Sequence, residues 1–226
     1  MNYIRYNVKK KRKINILVVI IFIIVAAILV IYGKNKNMEQ KATDFNIEKV
    51  NPVNQNNVKK NNIKKYYCIQ CGVFSTTKNA EAVRDSLKSY GTPFIVEKES
   101  KFKVILGIYN EEEYKAISKK LNSSEIQNVK VTYEIPEDNL CSKEIAEIFN
   151  ANLKVLNKFI DPKVKAVKTE NLKKWVNSLE EVKKEEKNFK ILSSMKEYVK
   201  KYPGELNREN LEEYCKFMYK CIDSVN

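Results

Sequence analysis

Histidine is absent from this chain of 226 residues, and glycine and proline occur only five times each. Without an imidazole there is no Ser-His-Asp triad, no Cys-His protease pair and no HExxH zinc site. A glycosidase would instead need two paired carboxylates in a cleft, but acids such as Glu97, Glu99, Glu111 and Glu112 lie on predicted loops or helix starts, where helix dipoles explain them. We therefore expect a protein that is not an enzyme and has no cofactor.

Arginine is also scarce, although the chain carries 42 Lys+Arg against 28 Asp+Glu and a net charge of +14. Arg5, Arg12, Arg84 and Arg208 are few for clamping phosphates. Most of the other cations are lysines on predicted helical surfaces, next to glutamates. This charge favours encounters with polyanions in general, and the scarcity of arginine leads us to expect no nucleic-acid partner.

The chain has five cysteines, an odd number, so at least one is expected to be unpaired unless it bridges to another molecule. Cys68 and Cys71 have the CxxC spacing, but on a strand these positions point to opposite faces. They are therefore poorly placed to close a disulfide or chelate zinc, and we predict no metal site.

One long apolar run is present near the N-terminus. Residues 1–13 hold six cations and no acid, and Ile14 to Tyr32 are almost entirely apolar. This length predicts a membrane-spanning helix over residues 14–33. The excess of cations before the run predicts a cytoplasmic tail, with the rest of the chain outside the cell membrane. The alternative is a cleaved signal peptide, but the run is longer than a signal core and lacks an A-x-A-like site.

Residues 34–63 are rich in asparagine and lysine and show no apolar periodicity. Such a composition buries too little apolar surface to offset the entropy of ordering. We predict a flexible linker, which either lets a binding domain search a layer near the membrane or serves only as a spacer.

An internal repeat occupies residues 64–136. Tyr67–Phe74 and Phe102–Tyr109 both contain an apolar strand, a glycine, an apolar residue and an aromatic residue. Each segment continues into a predicted amphipathic helix, and one further strand follows each helix. The order βαββαβ predicts an α+β domain of the ferredoxin or RNP type, with a four-stranded antiparallel sheet and two helices on one face.

The second face of that sheet is expected to be open. Strand alternation directs Ile69, Val104 and Leu106 toward the two helices. On the fourth strand it directs Val129 and Val131 the same way. The predicted open face carries these side chains: Cys68, Gln70, Lys101, Lys103, Ile105, Lys130 and Thr132. Amide, ammonium and apolar groups together suit a sugar polymer with amide and carboxylate groups. A solvated face that binds nothing is the alternative, and helices covering both faces would contradict the prediction.

Residues 66–134 resemble a SPOR domain, the sporulation- and division-related repeat of bacteria. The matching residues are Tyr67–Phe74, Asn79–Ala82, Leu87, Gly91 and Phe102–Gly107. The resemblance implies a domain that binds peptidoglycan glycan strands stripped of their stem peptides, with enrichment at septa.

In this family the sheet face makes the glycan contact, and the resemblance places its prominent strand-one glutamine at Gln70. The chain has Val73 where the family often has serine and Lys101 where many members have an aromatic residue, and it keeps a basic residue at Lys103. Together with the predicted open face, the resemblance gives these candidate glycan-binding residues: Gln70, Val73, Lys101, Lys103, Ile105 and Thr132.

Residues 138–226 are predicted to be all-helical, with three antiparallel helices. Apolar side chains form stripes along residues 141–160, 172–199 and 206–225. The stripes are expected to form the core of these helices, and the alternative is a groove for a partner helix.

The sequence thus favours a non-catalytic, single-pass membrane protein that binds peptidoglycan at the division septum or during sporulation. One alternative is a scaffold whose residues 138–226 bind a division or sporulation protein, while the SPOR-like domain only localises it. Another is an RNP-like nucleic-acid binder, although Gln70, Lys103 and Ile105 stand where base-stacking aromatics would be needed.

Overall fold

The computed structural model describes residues 62–225. The predicted basic tail, the predicted membrane-spanning helix and nearly all of the predicted linker, residues 1–61, lie outside this range. Within residues 62–225, no helix has both the length and the apolar composition that crossing a bilayer requires.

The first half of the described chain forms the sheet and its first pair of helices. Their bounds are β1 Ile63–Phe74, α1 Thr77–Ser86, β2 Phe94–Lys98, β3 Lys101–Tyr109, α2 Glu111–Ser123 and β4 Val129–Pro136. The strands pair in the order β2-β3-β1-β4, and every pair is antiparallel. The predicted α+β class, the βαββαβ order and the four-stranded antiparallel sheet are confirmed.

Side-chain caps fix the start of both helices. The Thr76 hydroxyl accepts the Asn79 N–H at 3.4 Å. Asn110 and Glu113 form a reciprocal capping box, with N–H to side-chain distances of 2.9 and 3.1 Å. These caps satisfy backbone N–H groups that lack partners in the first helical turn.

One core lies between the sheet and these two helices. Ile69, Val104 and Leu106 point into it from the strands, as predicted. The helices contribute Ala80, Ile117 and Leu121, and Leu87 follows directly after α1; each of the four is at most 8% exposed.

The second half of the chain is helical but not all-helical. Its elements are α3 Leu140–Leu156, a 3₁₀ turn Asn157–Ile160, β5 Ala166–Lys168, α4 Glu170–Asn177, α5 Phe189–Lys200, β6 Glu205–Asn207, a 3₁₀ turn Arg208–Asn210 and α6 Leu211–Ser224. Strands β5 and β6 pair as a two-stranded ribbon.

The prediction of three helices in an all-α region is wrong, because the long second helix is two helices, α4 and α5. Between them, seven of the eight residues 180–187 are charged, and only Val182 is apolar. Asn188 then takes the left-handed conformation, with φ of 66°. Asparagine adopts the left-handed conformation more readily than most residues do. The chain turns at Asn188, and α5 packs against α4.

Helices α3 and α6 pack on the second face of the sheet. Cys68, Phe94, Ile105 and Ile135 are at most 1% exposed, and together with Ile108 they share one core with the helical region. The helices place these side chains against them: Ile145, Phe149, Met218, Tyr219 and Ile222.

A buried hydrogen bond also joins the sheet to this layer, since the Tyr66 hydroxyl donates to the Ala146 carbonyl at 2.9 Å. The prediction of an open second face is therefore wrong over most of the sheet. The physical reason is that this face also carries the apolar side chains of Phe94 and Ile135, which form one core with Cys68 and Ile105, and α3 and α6 bury them. The sheet lies between two helical layers, and all described residues belong to one compact unit.

Candidate functional site

One end of the second face stays uncovered. We call it the exposed strip, and it comprises Gln70, Val73, Lys101, Lys103 and Val129. In the strand register Gln70 lies opposite Val129 on β4, and Val73 lies opposite Lys103 on β3. Val73 and Val129 are 49% and 58% exposed, which is unusual for large apolar side chains and marks the strip as a potential contact surface.

A bulge in β1 assembles the strip. The register with β3 shifts between Ile69 and Gly72, and Cys71 has no partner residue on β3. The extra residue brings Val73 onto the face of Gln70, although strict alternation places positions three apart on opposite faces. Sequence alternation alone does not reveal this arrangement.

Two of the predicted site residues lie elsewhere. Ile105 faces the same side as Gln70 but is 1% exposed, because the helical region covers it. A glycan on the surface has no access to this side chain, so its placement on an open face is wrong.

Thr132 lies on the opposite face of the sheet. It pairs with Tyr67, whose ring lies 5.4 Å from that of Tyr114 on α2. Lys130 is on this face too, with its ammonium 4.5 Å from the Tyr67 ring. The predicted alternation of β4 is therefore reversed. Val129 belongs to the strip instead, and only the register of β4 against β1 reveals this.

The cationic end of the strip borders the last turn of α6. The Asp223 carboxylate accepts hydrogen bonds from Lys98 at 2.9 Å and from the Tyr133 hydroxyl at 3.0 Å. Burial alone would raise the pKa of Asp223, but these two hydrogen bonds and the charges of Lys98 and Lys103 hold it below its ordinary value. This network fixes the end of α6 on the sheet beside Lys103.

The two lysines of the strip differ in their surroundings. Lys101 donates to the Ser75 hydroxyl at 2.9 Å. Lys103 is partly exposed and has no ion-pair partner within 4.0 Å among residues 62–225. An ammonium in this setting is available to an anionic group of a ligand.

The strip combines three kinds of chemical group. The Gln70 amide both donates and accepts hydrogen bonds, the lysines attract carboxylates, and the valines offer apolar contact. Such a surface can bind a ligand without chemical change.

The thiols take no part in this surface chemistry. All five cysteines are free, and burial raises the pKa of Cys71, the most accessible of them, to about 11. The thiolate is the metal-binding and nucleophilic form, so Cys71 is mostly unreactive near neutral pH. In the part of the chain that the structure describes, no cluster of three or more cysteine, aspartate or glutamate side chains could hold a metal ion.

Comparisons with known proteins identify the sheet domain. The SPOR domain family model matches residues 64–131. Among solved structures, the solution structure of the peptidoglycan binding domain of the B. subtilis cell wall lytic enzyme CwlC is 17% identical, with a TM-score of 0.29. That match covers 33% of this chain and 96% of the CwlC domain. No curated protein sequence matches the chain. Residues 64–131 of this chain are thus a SPOR domain.

Proposed function

We propose that this protein is a non-catalytic, membrane-anchored peptidoglycan-binding protein that contacts glycan strands through the exposed strip. One observation carries the proposal. The second face of the sheet is covered except at the end that holds Gln70, Val73 and Lys103, and these are among the positions that the SPOR resemblance assigns to the glycan.

The chemistry of the strip matches a glycan stripped of its stem peptides. Such a strand carries acetamido groups and, on its muramic acid sugars, free lactyl carboxylates. Gln70 can pair with an acetamido group, and Lys101 and Lys103 attract the carboxylate. Each exposed charge contact is worth roughly 0.2–1 kcal/mol and weakens with salt, so the binding is expected to be modest and salt-sensitive.

The cellular setting in this proposal comes from the sequence. The apolar run of residues 14–33 and the cations before it support a single-pass anchor with a cytoplasmic N-terminus. The SPOR domain supports a role at the division septum or in sporulation. The apolar stripes of residues 138–226 are largely buried against one another and the sheet, so we assign this region the role of a cover rather than of a groove for a partner helix.

Sedimentation with purified cell-wall sacculi tests the proposal. The full-length chain, purified in detergent, is mixed at low salt with sacculi pre-treated with an amidase and with untreated sacculi. A fragment that ends at residue 136 is unsuitable, because removal of the helical region would expose Cys68, Phe94 and Ile105. We expect sedimentation with the amidase-treated walls and weaker sedimentation with untreated walls.

A matched pair of charge reversals locates the binding surface. Lys103→Glu is expected to weaken sedimentation several-fold, because it turns attraction for the lactyl carboxylate into repulsion. Lys190→Glu on α5 makes the same change in net charge outside the strip and is expected to leave binding unchanged. No sedimentation of the parent chain, or equal binding by both variants, would contradict the proposal.

A further inference from the structure

A groove adjoins the strip at the edge of β1. The ladder between β1 and β4 ends at Gln70 and Val129, whereas the ladder between β1 and β3 continues to Phe74. Residues 71–74 thus have no strand partner on the β4 side among the described residues. The space beside this edge is a groove of about 610 Å³.

The groove is polar but uncharged. Gln70, Val73 and Val129 form the side that it shares with the strip. The end of α2 and the loop that follows supply the other wall, with Asn122, Ile126, Gln127 and Asn128. No lysine, arginine, aspartate or glutamate lines it.

Hydrogen bonds within the loop orient this wall. The Asn128 amide donates to the Asn122 side-chain oxygen at 3.1 Å and to the Ile126 carbonyl at 3.0 Å. Gln127 is exposed, and its amide makes no hydrogen bond within the described part of the chain. Two free amides, those of Gln70 and Gln127, therefore line one groove together with two exposed valines.

Amides and valines without charge complement a neutral amide-bearing sugar better than an anion. A carboxylate or phosphate would lose water here without gaining a charged partner, which is unfavourable. An acetamido group can exchange hydrogen bonds with the glutamine amides, and the apolar face of a sugar ring can lie against Val73 and Val129.

The position of α6 sets the path of a polymer. Asp223 holds the last turn of α6 against the sheet through Lys98 and Tyr133. A polymer that ran parallel to the strands on the second face would collide with this turn. A path across the strands is open, from Lys103 on β3 over β1 to the groove beside β4. These strands are two inter-strand spacings apart, about 10 Å.

We propose that the groove is a subsite for an uncharged N-acetylated amino sugar, while an acidic sugar of the same strand lies on Lys101 and Lys103. The glycan then crosses the end of the sheet instead of running along its face. This inference rests on the proposed function. An extended peptide added to the edge of β1 is the competing occupant, but the bulge at Cys71 makes a poor template for strand addition.

Binding measurements on the full-length chain in detergent test the subsite with three probes. The probes are an uncharged N-acetylglucosamine tetramer, amidase-stripped glycan strands and a free stem peptide. Gln127→Ala and Val129→Ser are expected to weaken tetramer binding about three- to tenfold, the usual effect of one lost hydrogen bond or apolar contact. Asn177→Ala, at the exposed end of α4, is the matched control and is expected to change nothing.

Lys103→Glu separates the two parts of the surface. This variant is expected to bind the stripped strands more weakly than the parent chain does. Its affinity for the tetramer should stay within about twofold of the parent's, because the groove is uncharged. If the parent chain binds stripped strands and both groove variants bind the tetramer as the parent does, the subsite is overturned and the proposed function stands. Saturable binding of the stem peptide that Gln127→Ala weakens would also overturn the subsite. No binding of any probe would overturn both.

Discussion

Replacing Ile105 with alanine tests whether the helical region is a permanent cover of the sheet. Ile105 is 1% exposed and lies in the core that joins β3 to the helical region. Truncation of a buried isoleucine removes apolar contact and leaves a cavity, at a cost of about 2–5 kcal/mol. On an open face the same change would cost at most about 0.5 kcal/mol. The two arrangements therefore differ several-fold in the expected loss of stability.

Val73→Ala is the matched control, because Val73 lies on the same face but is 49% exposed. The free energy of unfolding is measured by denaturant titration of the full-length chain for the parent and both variants. We expect Ile105→Ala to lower the midpoint with little change in slope. A loss of 2–5 kcal/mol corresponds to a fall in Tm of roughly 4–20 °C for a folded unit of 150–250 residues. If Ile105→Ala and Val73→Ala are equally mild, the helices do not cover this face.

Three further changes test the packing of the sheet. Gly107→Ala should lower Tm by several degrees, because the new Cβ would lie 2.5 Å from Cζ of the buried Tyr109 ring. Tyr66→Phe should cost about 0.5–1.5 kcal/mol of unfolding free energy, since it deletes a buried hydrogen bond to α3. Asp223→Asn should lower stability slightly, most visibly at low salt, because it breaks the ion pair with Lys98. Since folding lowers the pKa of Asp223, the stability from its charge should be present above about pH 3.9 and lost as pH falls through the folded value.

Controls and contrary outcomes are available for each change. In Gly204→Ala the new Cβ would have one neighbouring atom within 4 Å, a Glu170 carboxylate oxygen at 3.5 Å, so this substitution should be tolerated. A Tm of Gly107→Ala equal to that of Gly204→Ala would contradict the close packing at Tyr109. Unchanged unfolding of Tyr66→Phe would show that its hydroxyl contributes nothing. If the Asp223→Asn variant loses as much stability as the parent when the pH falls to and below about 3.9, other carboxylates cause that loss.

Local signals in the sequence predict the SPOR domain well. The strand, glycine and aromatic pattern occurs twice, and each copy leads into a helix with a recognisable cap at Thr76 or Asn110. Caps and apolar stripes are short-range features that depend on residues a few positions apart. The βαββαβ order follows from them without knowledge of contacts across the chain.

The strand sequences also indicate that a second helical layer covers the sheet, although the alternation of side chains does not reveal this. Residues 66–69 are all buried, and so are residues 104–109, although successive side chains of a strand point to opposite faces. Continuous apolar runs of this kind are typical of strands covered on both sides. The sequence therefore contains the evidence for two covered faces, but it does not identify the covering helices, which lie far along the chain: Ile222 of α6 is 156 residues from Tyr66 of β1.

The strip depends on long-range pairing, which makes it harder to predict. Gln70, Lys101 and Lys103 follow from the predicted face. Val129 joins the strip through its register with Gln70, and Val73 joins it through the bulge at Cys71. A shift of one residue in register moves every side chain of a strand to the other face, and this explains why the predicted face of Thr132 is wrong.

The polarity of the strands explains why the cover ends where the strip begins. Toward this end of the sheet the second-face side chains change from Phe94 and Ile105 to Lys98, Lys101 and Lys103. Burying an ammonium without a partner is costly, so an apolar helix face gains nothing by extending over them. Helix α6 instead places Asp223 at this border, where it pairs with Lys98. Two of the lysines that stop the helical cover, Lys101 and Lys103, thus remain available to an anionic ligand, and the same charge pattern limits the core and supplies the cations of the strip.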